Sequence, residues 1–243
     1  MSKLGYCSRS QAAELIHAGR VKLNGAVRRD PEAPVHLGKD RIEIDGKTAA
    51  RSEMIYLMLN KPRGVVTTAA DEKGRETVYA YLPPGVQWVA PVGRLDKASE
   101  GLLLMTNDSE WAARIAAPET HLEKTYHVQI ETIADEKLLE DLRNGADTSE
   151  GELLRAKRVS VVRRGERNSW IEIVLDEGKN RQIRRMLEHF HVEVLRLVRV
   201  AIGPLQLGNL VKGTTRSLEK EEKQTLDRVM HGATREPASS LLK

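Results

Sequence analysis

The sequence predicts an α+β fold, with a small leading unit in front of a larger one, and three observations carry that expectation. Short alternating segments close on turn dipeptides: Arg20-Val21-Lys22-Leu23 ends at Asn24-Gly25, and Arg41-Ile42-Glu43-Ile44 ends at Asp45-Gly46. Alternation closing on Asn-Gly or Asp-Gly is the signature of hairpin strands. Near-continuous apolar runs at 54–59 and 102–105 have the length of strands buried on both faces. Helical apolar patterns, as at 8–18 and 109–117, lie among these strands.

Taken in order, Ser8-Arg9-Ser10-Gln11 is a capping box, with serine at the N-cap and glutamine three residues on. Ala12, Ala13, Leu15, Ile16 and Ala18 continue the helix and Gly19 stops it. Met1-Ser2-Lys3-Leu4 leaves almost no lead-in, so the start is expected to lie inside the unit. Residues 1–47 form the leading unit, and 48–53, polar and alanine-rich, form a linker. The larger unit is expected over 54–230, with a polar, disordered tail at 231–243.

Within the larger unit the strand at 54–59 stops at Asn60-Lys61-Pro62-Arg63-Gly64, because proline cannot donate to a ladder. Extended structure resumes at 65–67, a short helix is expected at 77–82, and the helix at 109–117 ends before Pro118. Residues 123–130 alternate, which sets Lys124, Tyr126 and Val128 on one face of a strand. A helix at 134–143 stops at Asn144-Gly145, and strands at 153–162 and 169–175 flank the basic turn 163–167. Gly178 then feeds a helix whose apolar face is Ile183, Met186, Leu187 and Phe190. A strand at 192–200 and a charged helix at 217–229 follow.

Composition narrows the function classes. At 243 residues the chain can bury a sizeable core, and 40% hydrophobic with 30% charged residues is an ordinary globular balance. The formal charge is only +4, so its placement matters more than its sum. Basic residues cluster at Arg155, Lys157, Arg158, Arg163, Arg164 and Arg167, and again at Lys179, Arg181, Arg184 and Arg185. Such clusters suit a phosphate backbone, and equally suit a solvated face. The lone Cys7 excludes an internal disulfide and argues against a thiolate zinc site. Neither a membrane-length apolar run nor a signal-peptide pattern is present, so a reducing cytoplasm is expected. His189 and His191 beside Glu188 lack the i, i+4 pair of a helical zinc site, and neither a P-loop nor a glycine-rich nucleotide fingerprint occurs. The sequence therefore offers no motif for a metal or an organic cofactor, in agreement with the chemistry that the resemblance given below implies.

The most informative stretch is Pro91-Val92-Gly93-Arg94-Leu95-Asp96-Lys97-Ala98-Ser99-Glu100-Gly101, which runs into Leu102-Leu103-Leu104-Met105-Thr106-Asn107-Asp108. A charged Arg-Leu-Asp between two apolar strands is a costly place to keep an acid. Asp96 reads either as a loop cap or ion-pair partner of Arg94, or as a functional carboxylate. Tyr126 reads either as a core aromatic or as the wall of a pocket beside Lys124.

Two resemblances sharpen this. Ser8-Arg9, the Ala12-Ala13-x-Leu15-Ile16 helix, and Gly19-Arg20-Val21 through Asn24-Gly25 resemble the S4 RNA-binding domain. This implies that the first helix and the following turn press on structured RNA, with Arg9, Arg20, Arg28 and Arg29 as phosphate contacts. Gly93-Arg94-Leu95-Asp96 with Gly101 through Asp108, then Lys124-x-Tyr126-x-Val128, then Gly178-Lys179-Asn180-Arg181-Gln182-Ile183-Arg184-Arg185-Met186 follow in one order. Together they resemble ribosomal RNA pseudouridine synthases of the RsuA/RluB type.

The resemblance implies a mixed, mainly antiparallel sheet with an active cleft on one face, and isomerisation of uridine in ribosomal RNA, the large subunit rather than the small. It implies Asp96 as the catalytic carboxylate, Arg184 as its basic partner, Tyr126 as the residue stacked on the uracil, and Ile183 at the edge of the base pocket. Arg94 would fill the space left by the flipped nucleotide or guide that nucleotide. Lys124, Lys61 and Arg63 would contact substrate. The partner would be structured ribosomal RNA or an assembling subunit, bound by a monomer. Rival readings are an RNA-binding or ribosome-assembly protein without catalysis, the same chemistry on transfer RNA, and a base-releasing glycosidase. The last normally needs two cooperating carboxylates. Asp108 reads as a turn cap and Glu100 as a solvated loop residue, so neither supplies the second acid.

Overall fold

The computed structural model describes residues 1–50, 52–69, 71–147 and 151–233. The leading unit opens with a 3-10 turn at Ser2–Leu4, followed by α1 (Arg9–His17). The Ser8 side chain accepts from the Gln11 amide while Gln11 accepts from the Ser8 amide, so the expected capping box is formed. Strands β1 (Val21–Leu23), β2 (Ala26–Val27), β3 (Ile42–Ile44) and β4 (Lys47–Thr48) form an antiparallel sheet in the order β2-β1-β3-β4. Val21, Leu23, Ile42 and Ile44 alternate onto its inner face, where Leu15 and Ile16 of α1 cover them.

The larger unit is built on a nine-stranded sheet. Its strands are β5 (Tyr56–Lys61), β6 (Ala90–Pro91), β7 (Glu100–Thr106), β8 (Lys124–Ile130), β11 (Arg158–Arg164), β12 (Ser169–Leu175), β13 (Val194–Ile202), β14 (Leu205–Gln206) and β15 (Thr215–Ser217). The main path is β11-β12-β8-β13-β7-β5-β15, with β14 on β13 and β6 on β7. All named pairs are antiparallel except β13 with β7, so the sheet is mixed and mainly antiparallel, as the resemblance implies. A separate hairpin joins β9 (Ala146–Asp147) to β10 (Leu153–Leu154). Helices α2 (Ser109–Ala116), α3 (Glu136–Asn144), α4 (Gln182–His189) and α5 (Lys220–Ala233) cover the sheet.

Strand β7 shows why its sequence is apolar throughout. Leu102 and Leu104 enter a core with Trp111 and Ile115 of α2 and Leu226 of α5, while Leu103 and Met105 enter a second core on the opposite face. A third core joins β8, β12 and β13 to Leu139 and Leu142 of α3 and to Ile183, Met186 and Leu187 of α4. Tyr126 packs against this core and against the one under Leu103, so it stands where the two meet.

Several expectations are corrected. The strand expected at 153–162 is two pieces, because the Ala156 amide turns to Leu142 O and the Lys157 amide to Val174 O, moving the chain from β9 to β12. Residues 77–82 make only a 3-10 turn, Val78–Tyr81, and 65–67 contribute one bridge, Val66 to Thr77. Strand β5 runs through Lys61, and Pro62 ends it. Helix α5 begins at Lys220 and continues through Ala233, so 231–233 are helical rather than tail; the rest of that expected tail, 234–243, lies outside the described residues. Glu100 is not solvated: it is 2% exposed, held by Arg196 and Lys212.

Candidate active site

The loop between β6 and β7 carries Asp96 over the edge of the sheet. Two features fix it. The Ser99 amide donates to Asp96 O at 2.9 Å, closing a turn, and Lys61 lies beneath. Lys61 is fully buried, and its ammonium donates to Pro62 O at 3.0 Å, Asp96 O at 3.2 Å and Ser99 O at 2.9 Å. It is therefore a strut under the loop, and the expectation that it reaches RNA from the surface is not met. Burial lowers its pKa to about 8, against the attraction of Asp96 and Glu100.

Glu100 begins β7 directly behind the loop. Burial pushes its carboxyl up, but hydrogen bonds from Arg196 at 3.1 Å and from Lys212 outweigh this and hold it below the usual range. The next residue, Gly101, has φ +101°, and a Cβ there would meet the Arg199 carbonyl oxygen at 2.3 Å. Only glycine lets β7 approach β13 this closely.

In front of the loop opens a cleft of about 390 Å³. Asp96, Tyr126, Lys124, Ile183, Arg184 and Arg94 all line it, although their sequence positions span three motifs. Tyr126 sits on β8, opposite Ile173 of β12 and Arg199 of β13. Ile183 and Arg184 project from the first turn of α4. Arg184 Nη2 donates to Ala98 O at 3.2 Å, two residues past Asp96. Burial lowers the Arg184 pKa, Arg181 and Arg63 add to this, and Asp96 opposes it. The attraction acts through space: among the described residues Asp96 and Arg184 share neither a hydrogen bond nor a direct ion pair. Asp96 likewise makes no ion pair with Arg94, and its carboxylate accepts no hydrogen bond from the described residues. That removes the loop-cap and Arg94-pair readings of the acid. Arg94 is exposed and also borders a second hollow, with Thr68, Asp71 and Arg75.

Lys124 is partly buried and its pKa is lowered, first by that burial and then by Arg199, with Asp176 opposing. Arg63 is exposed and donates to Leu195 O at 3.4 Å. In the leading unit, Arg20 is taken up by a bidentate pair with Asp45, and Arg29 donates to His17 O at 2.9 Å. Arg9 and Arg28 line a shallow hollow beside α1. The basic clusters divide similarly. Arg158 and Lys157 pair with Glu123, and Lys179 and Arg185 with Glu152, while Arg155, Arg163, Arg167 and Arg181 have no ion pair among the described residues.

Sequence reasoning missed Arg199 and Ser99, which also line the cleft. Arg199 stood in an apolar strand with no motif to flag it.

Comparison with known proteins agrees with this geometry. A family model described as RNA pseudouridylate synthase matches residues 55–189, and an S4 domain model matches residues 1–49. The chain belongs to the RNA pseudouridylate synthase family. It is 38% identical over 223 residues to ribosomal large subunit pseudouridine synthase B of Bacillus subtilis, covering 91% of each chain. It is 37% identical to an RNA pseudouridine synthase of Aquifex aeolicus, covering 91% of this chain and 89% of that one. A crystal structure of a pseudouridylate synthase superposes with a TM-score of 0.65 at 28% identity, covering 90% of this chain and 94% of the other. As a synthase of this family, the protein isomerises uridine to pseudouridine in RNA. No helix among the described residues is long and apolar enough to cross a membrane.

Proposed function

We propose that this synthase modifies a uridine of large-subunit ribosomal RNA, with Asp96 as its catalytic carboxylate. The observation that carries the assignment of Asp96 is its position: a half-buried acid whose carboxylate has no hydrogen-bond partner among the described residues, at a cleft that Tyr126, Ile183 and Arg184 also line. Isomerisation breaks the N1–C1′ bond, turns the uracil, joins C5 to C1′, and moves a proton from C5 to N1. A carboxylate serves as the nucleophile that divides this into two easier steps. Arg184 sets a positive charge beside the acid, its guanidinium anchored on Ala98 O of the same loop. Tyr126 supplies the face on which a flipped uracil stacks and assists removal of the C5 proton, and Ile183 borders the base. Arg94, at the mouth, fills the stack that the nucleotide leaves.

The leading unit serves as an RNA-binding arm that ends with β4 at Thr48, one residue into the expected linker, and the catalytic unit continues through α5 to Ala233; the protein acts as a monomer in the cytoplasm. Arg9 and Arg28 carry the arm's phosphate contacts, and Arg63 and the unpaired Arg155, Arg163, Arg167 and Arg181 carry those of the catalytic unit. The large subunit is favoured because the Bacillus subtilis relative, similar over nearly the whole chain, bears that name. The test is to map pseudouridine in ribosomal RNA from cells with and without the protein, using a label that stops reverse transcription. Loss of one mark in the large-subunit RNA is the expected result. Loss confined to small-subunit or transfer RNA would overturn the target assignment.

A further inference from the structure

Behind Tyr126 the cleft contains a cation that the scheme above does not use. Arg199 is 6% exposed and lines the cleft beside its paired neighbour Tyr126. Its Nε donates to Leu102 O at 2.7 Å, which fixes the guanidinium, yet its Nη2 is buried without a hydrogen-bond partner among the described residues. Leaving a buried charged donor unsatisfied is costly, so such groups mark places where a ligand completes the bonding. Lys124 lies close enough to feel Arg199, and its ammonium makes no hydrogen bond or ion pair among the described residues. Two neighbouring cations thus line one end of the cleft without a carboxylate bound to either.

We propose that Arg199 reads the target base, its Nη2–H donating to a carbonyl oxygen of the flipped uracil, with Lys124 as the second cation at that edge. This inference rests on the pseudouridine synthase reading and extends it from catalysis to base recognition. A base carbonyl fits better than a phosphate because the guanidinium belongs to the strand neighbour of Tyr126, the residue on which the uracil stacks, and Arg199 is itself only 6% exposed. The walls there, Leu175, Leu197 and Ile202, are apolar and suit a planar ring.

The test compares wild-type enzyme, Arg199→Met and Arg199→Lys on a ribosomal RNA fragment whose mapped target is uridine, 2-thiouridine or 4-thiouridine. Product is measured by nucleoside chromatography after digestion. Sulfur accepts hydrogen bonds poorly, so wild type is expected to lose about ten-fold or more in kcat/KM on one analogue. Arg199→Met should lose as much on uridine and then treat uridine and that analogue alike, with partial recovery in Arg199→Lys. If Arg199→Met does not fold, Arg199→Lys decides: it should lose turnover on uridine and part of the discrimination between uridine and that analogue, and a wild-type pattern in Arg199→Lys overturns the proposal. Equal wild-type activity on all three fragments overturns the proposal. So does an Arg199→Met enzyme with weaker RNA binding, a salt slope shallower by about 1 and unchanged turnover, which would mark a phosphate contact. A wild-type enzyme inert on the uridine fragment would instead overturn the functional reading beneath it.

Discussion

Gly101 and Arg199 face one another across the parallel junction of β7 and β13, so closely that a methyl group on Gly101 would lie 2.3 Å from the Arg199 carbonyl oxygen. This contact places the start of β7, and hence the Asp96 loop, against the strand that carries Arg199. Gly101→Ala should therefore destabilise the protein by about 3 kcal/mol or more, from a strained positive φ together with overpacking. Chemical denaturation would measure it. A variant as stable as wild type would mean the two strands can separate without loss.

Asp96→Asn removes the charge while keeping the shape of the side chain. Turnover should fall by about 10³-fold or more, as when other catalytic nucleophiles are lost, with RNA affinity retained. Single-turnover assays alongside filter binding separate the two. Residual isomerisation near the wild-type rate would sink the nucleophile assignment.

Much of this site could be read from the chain because its motifs are local. Gly93-Arg94-Leu95-Asp96 is a loop between two apolar strands, and Lys124 and Tyr126 are fixed to one face by the two-residue period. The roles of Lys61 and Glu100 were hidden for the opposite reason. Both look like surface charges in sequence, and their burial follows from long-range pairing of β5, β7 and β13, which hydrophobic periodicity does not report. The pairing of Arg20 was hidden in the same way: its partner Asp45 lies on the next turn, brought near only once β1 and β3 pair. The break at 155–157 was invisible too, since the apolar pattern runs on while the hydrogen bonds change partner strand.

Lys61 should give opposite pH signatures in activity and stability. Its pKa is about 8 in the folded protein, against an ordinary value of 10.5. Between those two pH values the unfolded chain binds more protons, so this group's contribution to stability rises with pH. Below about 8 the lysine is charged in both states and the cost of burying it is fully present. The neutral amine, however, has two N–H donors for three carbonyls, so the loop carrying Asp96 loosens. A kcat profile should descend near pH 8 in wild type, and Lys61→Met, which takes the side-chain donor from Pro62 O and Ser99 O at a cost of about 1–3 kcal/mol, should lack that limb. An identical descending limb in both enzymes would assign it elsewhere.

The leading unit's contribution should appear in salt dependence rather than in chemistry. Arg20 and Arg29 are engaged by Asp45 and His17 O, whereas Arg9 and Arg28 beside α1 make neither a side-chain hydrogen bond nor an ion pair among the described residues. Each phosphate contact contributes about 1 to the slope of log affinity against log salt. Changing both Arg9 and Arg28 to alanine should make that slope shallower by about 2 and weaken binding to structured RNA at low salt. The rate from a saturated complex should stay at the wild-type value, because both residues lie in the leading unit and neither lines the Asp96 cleft. Measurement of affinity across a salt series, with single-turnover rates at saturation, tests both halves. An unchanged slope would show that the RNA approaches the leading unit by another face.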